Sequence, residues 1–133
     1  MKADTQAWLN LAEEDLRVCR LVGPAGLHGP ACFHAQQCAE KALKAILEER
    51  SVVRRVHALA ELRALVEATG ANLVVVANSL IRLDRFYMPT RYPLVQGALA
   101  PGRVTAELAA QSIADAEAVL ALCLAIVQGA AGQ

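Results

Sequence analysis

Apolar residues recur three and four positions apart along almost the whole chain, and no stretch alternates long enough to read as a strand. From about Asp4 to Leu21, Trp8, Leu9, Ala12, Leu16 and Cys19 share one helical face, and Glu13, Glu14, Arg17 and Arg20 fill the other. The cluster Gly23-Pro24-Ala25-Gly26 ends this helix. Pro30 suits the first turn of a second helix that runs to about Arg50. Ala35, Ala39, Ala42 and Ile46 line one side of it, extended by Leu43 and Leu47. His34, Gln37, Lys41, Lys44 and Glu48 lie opposite. Gln36 and Glu40 fall at the edge of the apolar face, where a carboxylate needs a cation or hydrogen-bond donors, so Glu40 is read as one half of a structural ion pair.

The same period predicts a third helix from about His57 to Thr69, closed by Gly70, and a fourth from about Asn72 to Tyr87. In the fourth, Leu73, Val76, Leu80, Leu83 and Tyr87 make the core stripe, and Asn78, Arg82 and Arg85 the opposite one. The triplet Val74-Val75-Val76 has strand propensity, but the helical period through Tyr87 outweighs it. Pro89 and Pro93 stop the helix and hold the chain extended, and a loop with Gly97, Pro101 and Gly102 follows. Thr105 is placed to cap a last helix through Leu108, Ser112, Ile113, Ala116, Val119, Leu120, Cys123, Leu124 and Val127. After Glu117 that helix carries no charge, which predicts a central position or one in a subunit interface. The expectation is an all-α, antiparallel up-and-down bundle of four to five helices, one domain over residues 1–133.

Composition adds an expectation about assembly. Residues of the AVILMFWYC class make up 56% of the chain, more apolar surface than a small monomer readily hides, so a homodimer is expected. The net charge of zero argues against a broad electrostatic grip on nucleic acid but is compatible with one local basic site. Cys19, Cys32, Cys38 and Cys123 form no C-x-x-C pair and sit in apolar helical stretches, which reads as free buried thiols in a reducing compartment. Acidic residues interrupt the N-terminal segment, so no leader is read there. The longest uncharged apolar run, Ala118 to Ala131, is short for a bilayer span. The chain is read as cytoplasmic, with no membrane partner.

Chemistry concentrates in one place. The stretch Arg82-Leu83-Asp84-Arg85-Phe86-Tyr87-Met88-Pro89-Thr90-Arg91-Tyr92 holds three arginines and three aromatic residues. Arg82 and Arg85 are neighbours on one helical face, and Arg91 follows a constrained turn bracketed by Tyr87 and Tyr92. Planar guanidinium donors with aromatic rings alongside suit a phosphate or a nucleotide. Asp84 falls on the core-facing side of its helix and needs a partner; a structural network of Asp84 and Glu40 with these arginines is the competing reading. The chain has no P-loop, no G-x-G-x-x-G, no H-E-x-x-H and no G-x-S-x-G. His34 and Cys38 stand four apart, but a metal site would need further ligands. No metal and no cofactor is expected.

Four stretches resemble the HEPN family, named for domains of higher eukaryotes and prokaryotes that bind nucleotides. They are WLNLAEEDL from Trp8, ACFHAQQCAEKALKAIL from Ala31, HALAELRAL from His57 and LDRFYMPTRYP from Leu83. The resemblance implies a dimeric helical bundle that works beside a minimal nucleotidyltransferase, in many cases as a toxin–antitoxin-like pair. Some members of the family are metal-independent ribonucleases that carry an Arg and, a few residues on, a His followed by x-Tyr. In those enzymes the Arg stabilises phosphate charge and the His handles the proton or positions the 2′-hydroxyl. On this chain Arg85 matches the arginine and Tyr92 the tyrosine, which in paired systems the nucleotidyltransferase modifies. Thr90 stands at the histidine position, and threonine is no base near neutral pH. The expectation is a module that binds nucleotide or RNA phosphate through Arg82, Arg85, Arg91, Tyr87 and Tyr92. The alternatives are a ribonuclease toxin whose catalytic residue is Arg85, with His57 as a distant candidate base, and a purely structural dimeric subunit.

Overall fold

A computed structural model of the chain describes residues 1–87 and 104–129. Among the described residues there are five α-helices and no strand: α1 (Ala3–Val22), α2 (His28–Glu49), α3 (Leu59–Ala68), α4 (Ala77–Asp84) and α5 (Ala106–Val127). A short 3-10 turn, Val74–Val76, leads into α4. The chain is thus an all-helical bundle organised around α2, which packs against each of the other four helices. No residue of α2 from Ala31 onward is exposed. Its alanines at 31, 35, 39, 42 and 45 are fully buried, and their small side chains let α1 and α5 approach closely.

The predicted stripes are the buried ones in α1 and α2. Leu9, Ala12 and Cys19 of α1 are fully buried, as are Ala35, Ala39, Ala42, Leu43 and Ile46 of α2. Each fully buried leucine or isoleucine stabilises the fold by roughly 1.5–3 kcal/mol relative to exposure. All four cysteines are free and buried. Burial pushes the Cys19 thiol up to about 11 and the Cys123 thiol up to about 12, so neither forms a thiolate near neutral pH.

Of the two places predicted for the last helix, the centre of the bundle or a subunit interface, the centre is taken by α2. One side of α5 faces outward and carries Ala110, Ala114, Ala118 and Ala121, all exposed. By length and composition α5 is the one helix among the described residues able to cross a membrane. Its inner side carries Ser112 and Asp115, both buried. Thr105 caps its start as predicted, its hydroxyl accepting the Leu108 N–H at 3.1 Å.

The fourth helix is shorter than its periodicity predicts. Asn72 Oδ1 accepts the Val74 N–H at 2.9 Å, a side-chain bond that competes with helical pairing. Three stiff valines follow and turn once as 3-10, with Val76 N–H on the Leu73 carbonyl at 3.0 Å. At the far end, Phe86 N–H bonds Leu83 O at 3.0 Å and Tyr87 N–H bonds Asp84 O at 3.2 Å, both tight i to i−3 closures. Pro89 cannot donate a further helical bond.

Two helices take their N-terminal caps from elsewhere in the chain. The Lys2 N–H before α1 and the Thr5 hydroxyl both donate to Glu49 at the end of α2, at 2.9 and 2.8 Å. This ties α1 and α2 into an antiparallel hairpin. The third helix begins at Leu59 rather than His57, because no Ser, Thr, Asp or Asn precedes it. Its cap is Asp84 of α4, whose carboxylate accepts the Leu59 N–H at 2.9 Å and the Ala60 N–H at 3.3 Å. A carboxylate there also meets the positive end of the helix dipole. Between α2 and α3 the chain turns at Ser51, which holds a positive φ of 59°. Residues 51–58 then run back along α2, so His57 meets Glu40 and Lys44 well before the end of that helix.

Asp84→Ala removes the cap of α3 without touching the core. Chemical denaturation is expected to give a loss of about 1 kcal/mol, the usual worth of such a cap. Amide exchange at Leu59 and Ala60 is expected to quicken more than elsewhere.

Candidate functional site

The arginine face of α4 is divided by its neighbours. Arg82 lies against α5 and grips Asp115 in a two-pronged ion pair, Nε to Oδ2 at 2.9 Å and Nη2 to Oδ1 at 2.8 Å. Asp115 also accepts from the Ser79 hydroxyl at 2.9 Å and from Gln111 Nε2 at 3.0 Å. The aspartate is only 3% exposed. Burial raises its pKa, but the hydrogen bonds from Arg82, Ser79 and Gln111 outweigh that and hold the carboxyl below its ordinary value. Arg82 answers with a pKa raised chiefly by its hydrogen bond to Asp115.

Arg85 is placed differently. It is exposed, and its Nε donates to the Arg82 carbonyl at 3.0 Å. Its guanidinium carbon stands 5.5 Å from the centre of the Phe86 ring, and Phe86 itself is buried. The guanidinium is therefore braced by a carbonyl and a ring, and no acidic side chain among the described residues forms an ion pair with it. Tyr87 is half-buried at the end of the same turn. Arg91 and Tyr92, and with them Thr90, lie outside the described residues. Beside this turn, Ala60, Arg63, Leu80, Ile81 and Asp84 line a cleft of about 350 Å³ between α3 and α4.

Glu40 and Asp84 belong to separate sets of partners. Glu40, 6% exposed, receives Lys44 Nζ at 2.8 Å and lies 3.1 Å from His57 Nδ1. Gln37 and Gln36 amides approach its other oxygen at 3.3 and 3.5 Å. Lys44 Nζ is also 2.8 Å from His57 Nδ1. A neutral His57 with its proton on Nε2 accepts from Lys44, whereas a protonated ring donates to Glu40 with the lysine charge beside it. Asp84 is the cap of α3, a use of the carboxylate that backbone donors satisfy. The network that joins Glu40 or Asp84 to the arginines is not formed among the described residues, because Asp115 takes Arg82.

The fold ties the segment that follows His57 to the α4 turn, while the His57 side chain itself lies on α2 against Glu40 and Lys44. The Leu59 amide, two residues after His57, is bonded to Asp84, the residue before Arg85. Sequence reasoning left His57 with no spatial link to the arginines; the cap in trans supplies one. It also passed over Asp115. The signal for that residue was present, since an acid falls between Ser112, Ala116 and Val119 on the buried stripe of α5. A second missed cluster joins α1 to α2, where buried Asp15 pairs with Lys41 and with His34 Nδ1 at 2.8 Å. Among the described residues no group of three His, Cys, Asp or Glu side chains is arranged to hold a metal ion.

Bundle, capped α3 and arginine turn together fit one class of protein, the small helical domains of the HEPN type. The sequence model of the HEPN domain matches residues 5–126, and the chain belongs to that family. Among solved structures it is similar to ST0689, an archaeal HEPN homologue, at 30% identity and a TM-score of 0.76, over 96% of this chain and 99% of that one. It is similar also to TT1696 from Thermus thermophilus, at 30% identity and a TM-score of 0.82, over 92% of this chain and 98% of that one. Comparison with curated proteins gave no match.

The Asp115 pair makes stability depend on acid. Its folded pKa is lower than the unfolded value near 4, so its contribution is complete above about pH 5 and is lost as pH falls through the folded value. Asp115→Ala is expected to cost about 2 kcal/mol at neutral pH, because the arginine left behind keeps partial access to water. In Asp115→Asn the fall in stability between pH 5 and pH 3 is expected to be shallower than in the parent, as read by urea denaturation across that range.

Proposed function

We propose that this HEPN protein is a binding module for nucleotide or RNA phosphate, with the ligand held at the C-terminal turn of α4. The observation that carries this reading is Arg85, an exposed guanidinium braced by the Arg82 carbonyl and the Phe86 ring and free of any acidic ion-pair partner among the described residues. A bracing of this kind holds a planar donor ready for a phosphate at little entropic cost. Arg91, Tyr87 and Tyr92 complete the proposed site, with Arg82 lending charge from behind its pair with Asp115. The protein would act in the cytoplasm as a homodimer, for which the exposed alanines of α5 offer a close-packing surface, and beside a minimal nucleotidyltransferase, as in a toxin–antitoxin-like pair.

A second reading rests on the backbone link between the segment that bears His57 and the α4 turn, the Leu59 amide on Asp84. In it the protein is a metal-independent ribonuclease in which Arg85 stabilises phosphate charge and His57, not residue 90, handles the proton. His57 is suited to this by exposure, and when its Nδ1–H donates to Glu40 the Nε2 lone pair is left for a substrate proton. A third reading, assembly alone, applies if Arg85→Ala breaks a dimer and changes nothing else.

Calorimetry with ATP, GTP and short RNA, alone and with a minimal nucleotidyltransferase added, tests the first reading. Arg85→Ala is expected to weaken binding about tenfold or more and to reduce the salt dependence of RNA binding by about one phosphate contact. Absence of binding at millimolar ligand in both settings overturns it. RNA cleavage by the pure protein that vanishes in both Arg85→Ala and His57→Ala would establish the second reading, and RNA that stays intact would remove it.

A further inference from the structure

A second cleft opens on a different part of the molecule, where the first half of α1, the last turns of α2 and the returning segment 51–58 meet. Its volume is about 420 Å³, within the roughly 300–1,000 Å³ range of small-molecule sites. Trp8, Leu47, Val52 and Val53 supply apolar surface, and Lys44, Arg54, Arg55 and His57 supply cationic and titratable groups. Of the acids, Glu48 lines it, and Glu40 lies just behind Lys44 and His57.

The parts are held in place. Lys44 Nζ stands 5.3 Å from the centre of the Trp8 ring while bonded to buried Glu40, so the indole and the lysine stem form one fixed wall. Arg54 is exposed and is positioned by donating Nη1 to the Val53 carbonyl at 2.9 Å. Arg55 and His57 are exposed on the same segment. Neither Arg54 nor Arg55 forms an ion pair among the described residues. Counting Lys44, Arg54 and Arg55 against Glu48 and Glu40, three positive and two negative charges, the site carries a formal charge of +1 with His57 neutral. That sits on a chain whose total is zero.

We propose that this cleft binds a nucleoside phosphate, with the phosphate on Arg54, Arg55 and the outer edge of His57 and the base against Trp8 and the valines. The two halves of the ligand match the two halves of the lining. A simple inorganic anion would use the guanidinium groups and leave the apolar wall wet, and a purely apolar ligand would leave the arginines unpaired. Glu48 repels phosphate from its own side and accepts hydrogen bonds from an exocyclic amine, which favours an amine-bearing base such as adenine. The ligand is a free nucleotide or the end of a single RNA strand, which share this chemistry. The inference uses residues apart from the α4 turn, sharing with the ribonuclease reading only His57 and the Lys44 and Glu40 that hold it, and it stands or falls independently of Arg85.

Trp8 is the single tryptophan of the chain, so its fluorescence reports on this cleft alone. The experiment is a titration of the full chain with ATP, short oligoadenylate, inorganic pyrophosphate and adenosine, excited where nucleotides do not absorb. Saturable changes are expected with ATP or oligoadenylate, the tighter of the two naming the source. Pyrophosphate and adenosine, each carrying half of the ligand, are expected to bind about tenfold more weakly or less. The double variant Arg54→Ala/Arg55→Ala is expected to weaken ATP by about tenfold or more, with its starting emission unchanged as a sign of intact folding. Arg17→Ala, on the exposed face of α1 outside the cleft, is expected to keep the response. No saturable change at millimolar ATP or oligoadenylate overturns the proposal. So does pyrophosphate binding as tightly as ATP, or a response lost in Arg85→Ala but kept in the Arg54/Arg55 variant.

Discussion

The carboxylate of Asp115 is the point on which the α4 side of the bundle depends. It is buried on the inner face of α5, and a charge in that position is tolerated only when donors surround it. Arg82, Ser79 and Gln111 provide them, two from α4 and one from α5 itself. Satisfying this one acid fixes how α4 lies on α5, and it consumes the first arginine of the α4 face. Arg85, one turn later, is carried past the reach of α5 and is left facing solvent. The division between a structural and a solvent-facing arginine thus follows from the position of one aspartate on a neighbouring helix.

A second constraint passes through the helix ends. Neither α1 nor α3 carries a local side-chain cap, and each borrows a carboxylate from a distant helix. For α3 the source of that cap is Asp84, the residue before Arg85. Backbone satisfaction at the start of α3 therefore draws the segment that bears His57 to the turn that bears Arg85. The same segment, folded back along α2, presents Arg54 and Arg55 beside Trp8. The cleft at Trp8 is a consequence of how residues 51–58 are anchored: Glu40 and Lys44 hold them through His57, and Asp84 holds the next residue but one through the Leu59 amide.

Much of the fold was legible because the helical period carries it. The stripes Leu9-Ala12-Leu16-Cys19 and Ala35-Ala39-Ala42-Ile46 are buried where periodicity puts them, and Thr105 caps α5 as its residue type implies. The family resemblance rested on stretches that the HEPN match covers. Boundaries were less legible wherever a side chain competes with the backbone ladder, as Asn72 does before α4. The lack of charge in the second half of α5 allowed either a central or an interface position, and the centre belongs to α2. The outward side of α5 is built of alanine, which is small enough to be exposed at little cost. Long-range polar pairings were the least legible. Nothing local tells Arg82 to choose Asp115, or Asp84 to cap a helix beginning twenty-five residues earlier. Glu40 was recognisable as an acid in need of a cation, and Lys44 lies one turn along the same helix, but the arrival of His57 required the fold.

The division of the two arginines is tested most directly by urea denaturation of Arg82→Ala and Arg85→Ala side by side at neutral pH. The account predicts that Arg82→Ala leaves Asp115 buried without its cation and lowers the unfolding midpoint clearly. Arg85→Ala is predicted to unfold at a midpoint close to that of the parent. Equal losses in the two variants, or a larger loss in Arg85→Ala, would contradict it.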